Sequence, residues 1–336
     1  MLVLATVVVA IIVVVPKRVK AVRAFFVFGD SPVDSGNNNY LPTISKRIGS
    51  EPTLPYMSPE LNGQKLLVGA NFASAGIGIL NDTGIQFVGI IRMFQQFELF
   101  EQYQQRLSAV IGAKRTKKVV NEALVLMTLG GNTVFVSFYF YDGCGNDFVI
   151  TPRSRQFTVP DFSRYLISQY RRILMRLYEL GARRVLVTGT GPLGCVPSQL
   201  AMRSSNGECL AELQQATQIF NPLLDNMTKD LNSQLGAHTF VSVNAFLMNI
   251  DFITNPQKYG FVTSKMASCG QGPYNGLGPC NPLSDLCQNR YAYAFWDAFH
   301  PSQRALEFIV DEIFKGTSNL MSPINLSTIM VLDSNI

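Results

Sequence analysis

Short apolar runs that end in small or polar residues recur along the chain. Ala24–Phe28 (AFFVF) runs out into Gly-Asp-Ser. Leu66–Ala75 (LLVGANFASA) passes into a small-residue loop, and Ala123–Leu129 (ALVLMTL) ends in Gly130-Gly131-Asn132. Arg184–Thr188 is tipped by GTGPLGC, and Thr239–Val243 completes the set. Continuous apolar runs of this length predict strands buried on both faces. Between them lie segments with helical spacing. Ile85–Leu107 places Phe87, Ile90, Ile91, Phe94, Phe97 and Leu107 at such intervals. A long helix is expected from Pro160 or Asp161 to the Leu180-Gly181 stop. Cys209–Leu235 reads as helix, with Pro222 placed to kink or divide it. Ala245–Thr254 is a short helix and Ser302–Phe314 an amphipathic one, whereas Gly-, Pro- and Cys-rich Tyr259–Leu286 reads as loop held by disulfides. Strands alternating with helices imply an α/β fold, a parallel sheet covered on both faces. No repeat and no linker divides it, so residues 22–336 are expected to form one domain.

The first residues behave differently. Leu2–Val15 is almost wholly apolar and stops at Pro16. It falls short of the roughly 18 residues that span a bilayer but suits a signal-peptide core. Val19 and Ala21 supply small residues for cleavage after Ala21, although the positive charges follow the apolar run. Residues 1–21 are therefore expected to be a signal peptide, with no stable membrane span after its removal.

Composition narrows the function. Of 336 residues, 47% are hydrophobic and only 15% charged, which suits a packed core and excludes a disordered chain. Net charge is +5, but its clusters, Lys17–Lys20 and Lys114–Lys118, lack the interleaved aromatics of a nucleic-acid surface and read as solvated faces. Five of six cysteines fall between Cys195 and Cys287, a clustering that suggests disulfides in an oxidising compartment. Cys195 with Cys209 is one pairing that fits, both flanking one loop, among several connectivities. The cysteine spacing matches no zinc pattern and the chain has two histidines, so no metal site is expected. Asn81, Asn226 and Asn325 begin glycosylation triplets.

The chemistry gathers at the strand tips. Ser31 follows the first strand, where open α/β sheets hold ligands. Asp297 and His300 stand three residues apart in DAFHP, a spacing that lets the carboxylate hold Nδ1–H and aim Nε2 at a serine. His238, in GAHTF, has no acid near it in sequence. Serine, aspartate and histidine in this order are the parts of nucleophilic acyl transfer. The Gly76 N–H and the Asn132 amide, on two further tips, are candidate donors to an oxyanion.

The blocks FVFGDSPVDSGNNNY, ANFASAGIGI, TLGGN, GPLGCVP and DAFHPSQRA, spread from Phe25 to Phe314, resemble the GDSL esterase/lipases of plants, within the SGNH hydrolase superfamily. The resemblance implies a three-layer α/β/α flavodoxin-like fold. It implies Ser31 as nucleophile with Asp297 and His300. It also implies an oxyanion hole of the Ser31 N–H, Gly76 and an Asn of the third block. An ester or lipid substrate, no cofactor, and a secreted protein of the cell wall or apoplast are expected on the same ground.

Three departures stand out. Pro32 follows the serine where the family usually has an aliphatic residue; the Ser31 N–H survives this change. The stretch from Tyr40 to Leu54 is short, so part of the first crossover is missing near residues 41–53, which leaves very few residues to link the first two strands. The third block occurs twice. Removing residues 133–146, which contain Cys144, restores a single GGNDFV, so this segment reads as an insertion. Asn132 is preferred as donor because it directly ends the strand, with Asn146 the alternate. These departures motivate the rival reading, a catalytically impaired isoform or a carbohydrate- or lipid-binding protein of the same fold.

Overall fold

The computed structural model describes residues 24–34, 53–85, 87, 89–131 and 156–334, without side-chain placement for 332–334. The expected signal peptide, the shortening across residues 41–52, the insertion at 133–146, Asn132 and Asn146 lie outside the described residues.

In chain order the first half comprises β1 (Phe25–Gly29), β2 (Gly69–Asn71), α1 (Met93–Ile111), α2 (Ala113–Glu122), β3 (Leu124–Thr128) and α3 (Val159–Glu179). Then come β4 (Val185–Thr188), α4 (Pro197–Arg203), α5 (Ala211–Leu235), β5 (Phe240–Val243) and α6 (Ala245–Thr254). Four short strands follow: β6 (Thr263–Ala267), β7 (Cys269–Gly270), β8 (Asp285–Leu286) and β9 (Tyr293–Phe295). The last elements are α7 (Gln303–Lys315), β10 (Met321–Ser322) and α8 (Leu326–Ser334).

The main sheet has the order β10-β5-β4-β3-β1-β2. All pairings are parallel except β10 against β5. From β2 to β5 this is the doubly wound order 2-1-3-4-5, with its switch point between β1 and β3. β1 is buried throughout because it has a neighbour on each side and a layer on each face. Successive side chains point to opposite faces. Phe26, Phe28, Val125, Met127, Val185 and Val187 therefore pack under α1, α3 and α5. Phe25, Val27, Leu124, Leu126, Leu186 and Val241 face α6, α7 and α8. The alternation produces the three layers. A third cluster, Phe252, Phe261, Ala267 and Phe295, roots the β6–β9 lobe.

Several expectations need correction. The helix expected from Ile85 begins at Met93. Gly89, at φ +77°, has the left-handed backbone that breaks helical continuation, and Phe87 stays half-exposed. The strand expected over Leu66–Ala75 shrinks to β2, preceded by the 3-10 turn Gly63–Leu67. Pro222 does not divide α5, which runs unbroken through it. Tyr259–Leu286 contains strands as well as loop, in two small sheets. Nor are β1 and β2 joined by very few residues. Their connection runs from Asp30 to Val68, more than the dozen or so residues that parallel pairing needs.

Disulfides join Cys195 to Cys209 and Cys269 to Cys280. Among the described residues Cys287 has no disulfide partner. No helix among the described residues is long and apolar enough to cross a membrane.

Candidate active site

The site is built at the C-terminal ends of β1, β2 and β3. Gly29 ends β1 at φ +134°, with Thr128 of β3 so close that a Cβ would sit 2.0 Å from its carbonyl oxygen. Only glycine permits this approach. Gln96 of α1, with no exposed surface, holds the Gly29 peptide from above. Its Oε1 accepts the Gly29 N–H and its Nε2 donates to the Gly29 carbonyl, both at 3.0 Å. The chain then turns through the 3-10 segment Ser31–Val33, which puts Pro32 at a first-turn position that needs no N–H. The tip of β2 braces this turn. Asn71 Nδ2 donates to the Val33 carbonyl at 2.6 Å, and the Ala75 N–H donates to Asp34 Oδ2 at 3.1 Å.

His300 arrives from the opposite end of the chain. It lies between β9 and α7 in a loop tied down by its backbone. The Trp296 N–H donates to the His300 carbonyl at 2.8 Å, and the Ser198 N–H of α4 donates to Ala298 at 3.0 Å. Asp297 Oδ1 accepts the backbone N–H groups of Phe299 and His300 at 2.9 and 2.8 Å. The same carboxylate receives His300 Nδ1–H, at 2.9 Å to Oδ1 and 2.8 Å to Oδ2. An ionised carboxylate only accepts, so Nδ1 carries the proton and Nε2 presents its lone pair. That lone pair faces Ser31 Oγ at 2.8 Å, across 269 positions of sequence.

Charge is tuned by the same contacts. Burial pulls the His300 pKa down, but its bond to Asp297 and the Asp297 and Asp30 charges outweigh it, so it ends above the usual histidine value. Burial pushes Asp297 up, and the His300 bond, its charge and two backbone donors bring it below the usual carboxylate value. Asp30, only 3% exposed, is pushed up to about 7 by burial, against the pull of His300 and its own backbone.

The structure thus brings Ser31, Asp297 and His300 together. Gly76 lies two residues beyond Ser74, whose N–H donates to the Gly29 carbonyl at 2.9 Å. Neither the Ser31 nor the Gly76 N–H donates to an acceptor among the described residues. His238 is exposed just before β5, at the N-terminal ends of the parallel strands and so opposite the end that carries Ser31. Asn81 and Asn226 are exposed, whereas Asn325 donates its amide to the Gly316 carbonyl and accepts the Thr328 N–H. Among the described residues no cluster of three or more His, Cys, Asp or Glu is placed to hold a metal. Sequence reasoning missed Gln96, Asn71 and Asp30. Gln96 had a signal: it sits on the stripe Met93, Gln96, Phe97, Phe100, where every other side chain is apolar.

A parallel sheet with this order, and a Ser-His-Asp chain at its C-terminal edge, define the doubly wound α/β hydrolases in the broad sense. The model of the GDSL-like lipase/acylhydrolase family matches residues 25–313. The chain is 57% identical to GDSL esterase/lipase At4g28780 of Arabidopsis thaliana, covering 96% of this chain and 94% of that protein. It is 54% identical to GDSL esterase/lipase LTL1 of the same plant, covering 93% and 92%. The chain belongs to the GDSL lipase/acylhydrolase family and is a hydrolase of ester bonds.

Proposed function

We propose that the protein hydrolyses carboxylic esters of small molecules or lipids through an acyl-enzyme on Ser31. His300 Nε2 takes the Ser31 proton as Oγ attacks the acyl carbon, then gives it to the leaving alcohol. Water attacks the resulting Ser31 ester by the same relay, and the acid leaves. Asp297 holds the ring in the productive tautomer and stabilises the imidazolium. The Ser31 and Gly76 N–H groups, with the amide of Asn132 or, alternatively, Asn146, receive the oxyanion. The protein acts outside the cell, in the wall or apoplast, after loss of residues 1–21, with Asn81, Asn226 and Asn325 as glycan acceptors. The resemblance and the disulfides support that setting.

The observation that carries the reading is the 2.8 Å contact between Ser31 Oγ and His300 Nε2, within proton-transfer reach. Labelling with a fluorophosphonate tests it. Wild-type protein should be labelled at Ser31 and release a burst of p-nitrophenol from a short-chain ester, while Ser31→Ala does neither. Folded wild-type protein showing no burst and no label would point instead to a non-catalytic binder.

A further inference from the structure

Stabilising an oxyanion with donors from different segments requires that those segments keep one fixed spacing. The Ser31 N–H comes from the turn after β1, and the Gly76 N–H from the loop between β2 and α1. Helix α1 reaches the first through Gln96 and the Gly29 peptide. One turn earlier on the same face stands Arg92. It is the N-cap of α1, a position that favours Ser, Thr, Asp or Asn and where the helix dipole opposes a cation. A guanidinium has no acceptor to offer the first helical N–H groups. The Arg92 side chain serves the preceding loop instead. Its Nη1 donates to the Asn81 carbonyl and, at 3.2 Å, to the Thr83 carbonyl.

The Thr83 carbonyl and the Gly84 nitrogen share one peptide unit. Gly84, at φ +77°, lies so close to Gly76 that a Cβ on it would sit 2.1 Å from the Gly76 carbonyl oxygen. The Gly84 carbonyl accepts the Phe87 N–H at 2.9 Å. The Phe87 ring fills the space that a side chain at position 76 would need, 2.6 Å from such a Cβ. Gly76 is thus held between Gly84 and Phe87. Ser74 ties down the start of the loop: its N–H donates to the Gly29 carbonyl, and its Oγ accepts the Ile91 N–H at 2.9 Å.

We infer that Arg92 is a positioning residue for the oxyanion hole: its guanidinium fixes the Thr83–Gly84 peptide against Gly76, so that one turn of α1 sets the spacing of both backbone donors. The inference rests on the proposed role of the Ser31 and Gly76 N–H groups. Arg92 touches no reacting atom. Without it two carbonyls lose a charged donor, and the Gly84 wall behind Gly76 can retreat. A retreat lengthens the bond to the charge that develops in the transition state and leaves the neutral bound ester largely unaffected, so kcat suffers and KM does not.

The test compares variants on p-nitrophenyl butyrate. Arg92→Ala should lower kcat by roughly 10–100-fold with KM nearly constant. Affinity for a trifluoromethyl ketone, whose adduct with Ser31 carries an oxyanion, should fall in proportion. Methylguanidinium at a non-denaturing concentration should restore part of kcat in Arg92→Ala and change nothing in the wild type. Gly84→Ala, which sets a Cβ against the Gly76 carbonyl, should reproduce the loss, and the double variant should lose little more than either single one. Arg92→Lys, which keeps the charge but not the guanidinium fork, should fall between wild type and Arg92→Ala; if the alanine variant does not fold, the lysine variant carries the same readouts. Wild-type kcat and ketone affinity in either Arg92 variant would overturn the inference. So would a loss of kcat that follows Tm alone, with ketone affinity intact and no response to methylguanidinium. Wild-type protein that neither takes the fluorophosphonate label nor shows a burst would instead overturn the serine mechanism, and this role with it.

Discussion

His300 and Asp30 are two titrating groups on either side of one serine. In the proposed mechanism His300 must be neutral at Nε2 to accept the Ser31 proton. Its raised pKa therefore puts the acid limb of kcat/KM above the ordinary histidine value of 6.5. Asp297→Asn removes the main upward influence. The limb should move to lower pH while kcat falls about 10³–10⁴-fold, because the ring loses its tautomer as well as its charge partner. A full pH–rate profile of both proteins checks this. Asp30 behaves in the opposite sense to a salt-bridged carboxylate. Its folded pKa, about 7, lies above its ordinary 3.8, so the folded state holds the proton more tightly. The resulting stability is fully present below about pH 4 and is lost as pH rises through about 7. Asp30→Asn should therefore raise Tm at pH 8 more than at pH 5. Thermal melts at the two pH values read the difference; an equal change at both would show that Asp30 titrates normally.

At the scale of elements, the precision of the serine depends on helix α1, which never touches Ser31. Gln96 saturates the Gly29 peptide where the backbone leaves the sheet. Gln96→Leu keeps the volume roughly but strands the buried Gly29 N–H, at a cost of about 1–3 kcal/mol, while the Gly29 carbonyl keeps the Ser74 N–H. A fall in Tm together with a loss in kcat larger than that in KM is expected, since the displaced peptide carries Ser31. Gln96→Glu, which keeps the acceptor for the Gly29 N–H, should lose less. The same helix shows why element boundaries were partly hidden. Its apolar spacing continues back through Ile90 and Phe87, yet Gly89 sits in a conformation closed to helix. Periodicity registers a face but not the backbone angle at one glycine. Pro222 shows the converse: a breaker by rule, it is carried inside α5. That helix buries Leu213, Phe220, Leu224 and Leu231 on one side, and its Asn221 exchanges hydrogen bonds with Thr190 at 2.9 Å.

Over the whole molecule, the site joins a rigid sheet to a smaller lobe. Ser31 stands on the sheet, whereas Asp297 and His300 follow β9, in the lobe whose loop is closed by Cys269–Cys280. Disulfides of this kind contribute about 2–4 kcal/mol, mostly by restricting the open chain. Cys280→Ser should loosen the lobe before the sheet melts. Esterase activity is then lost at a lower temperature than far-UV dichroism, while the wild type loses both together. Coincident transitions in the variant would show that lobe and sheet unfold as one.

Local pattern alone indicated the main-sheet strands β1 to β5, most helices and the class of fold, and it singled out Ser31, Asp297 and His300 as candidates, because each depends on residues close together in sequence: an apolar run, a tip, a three-residue spacing. The structure decided what depends on distance through space. It set the strand order, the antiparallel β10 at the edge, the burial that raises Asp30, the clamp by Gln96, and the approach of His300 to Ser31. Those properties arise only when segments hundreds of residues apart exclude water from one another, and no short window of sequence contains that event.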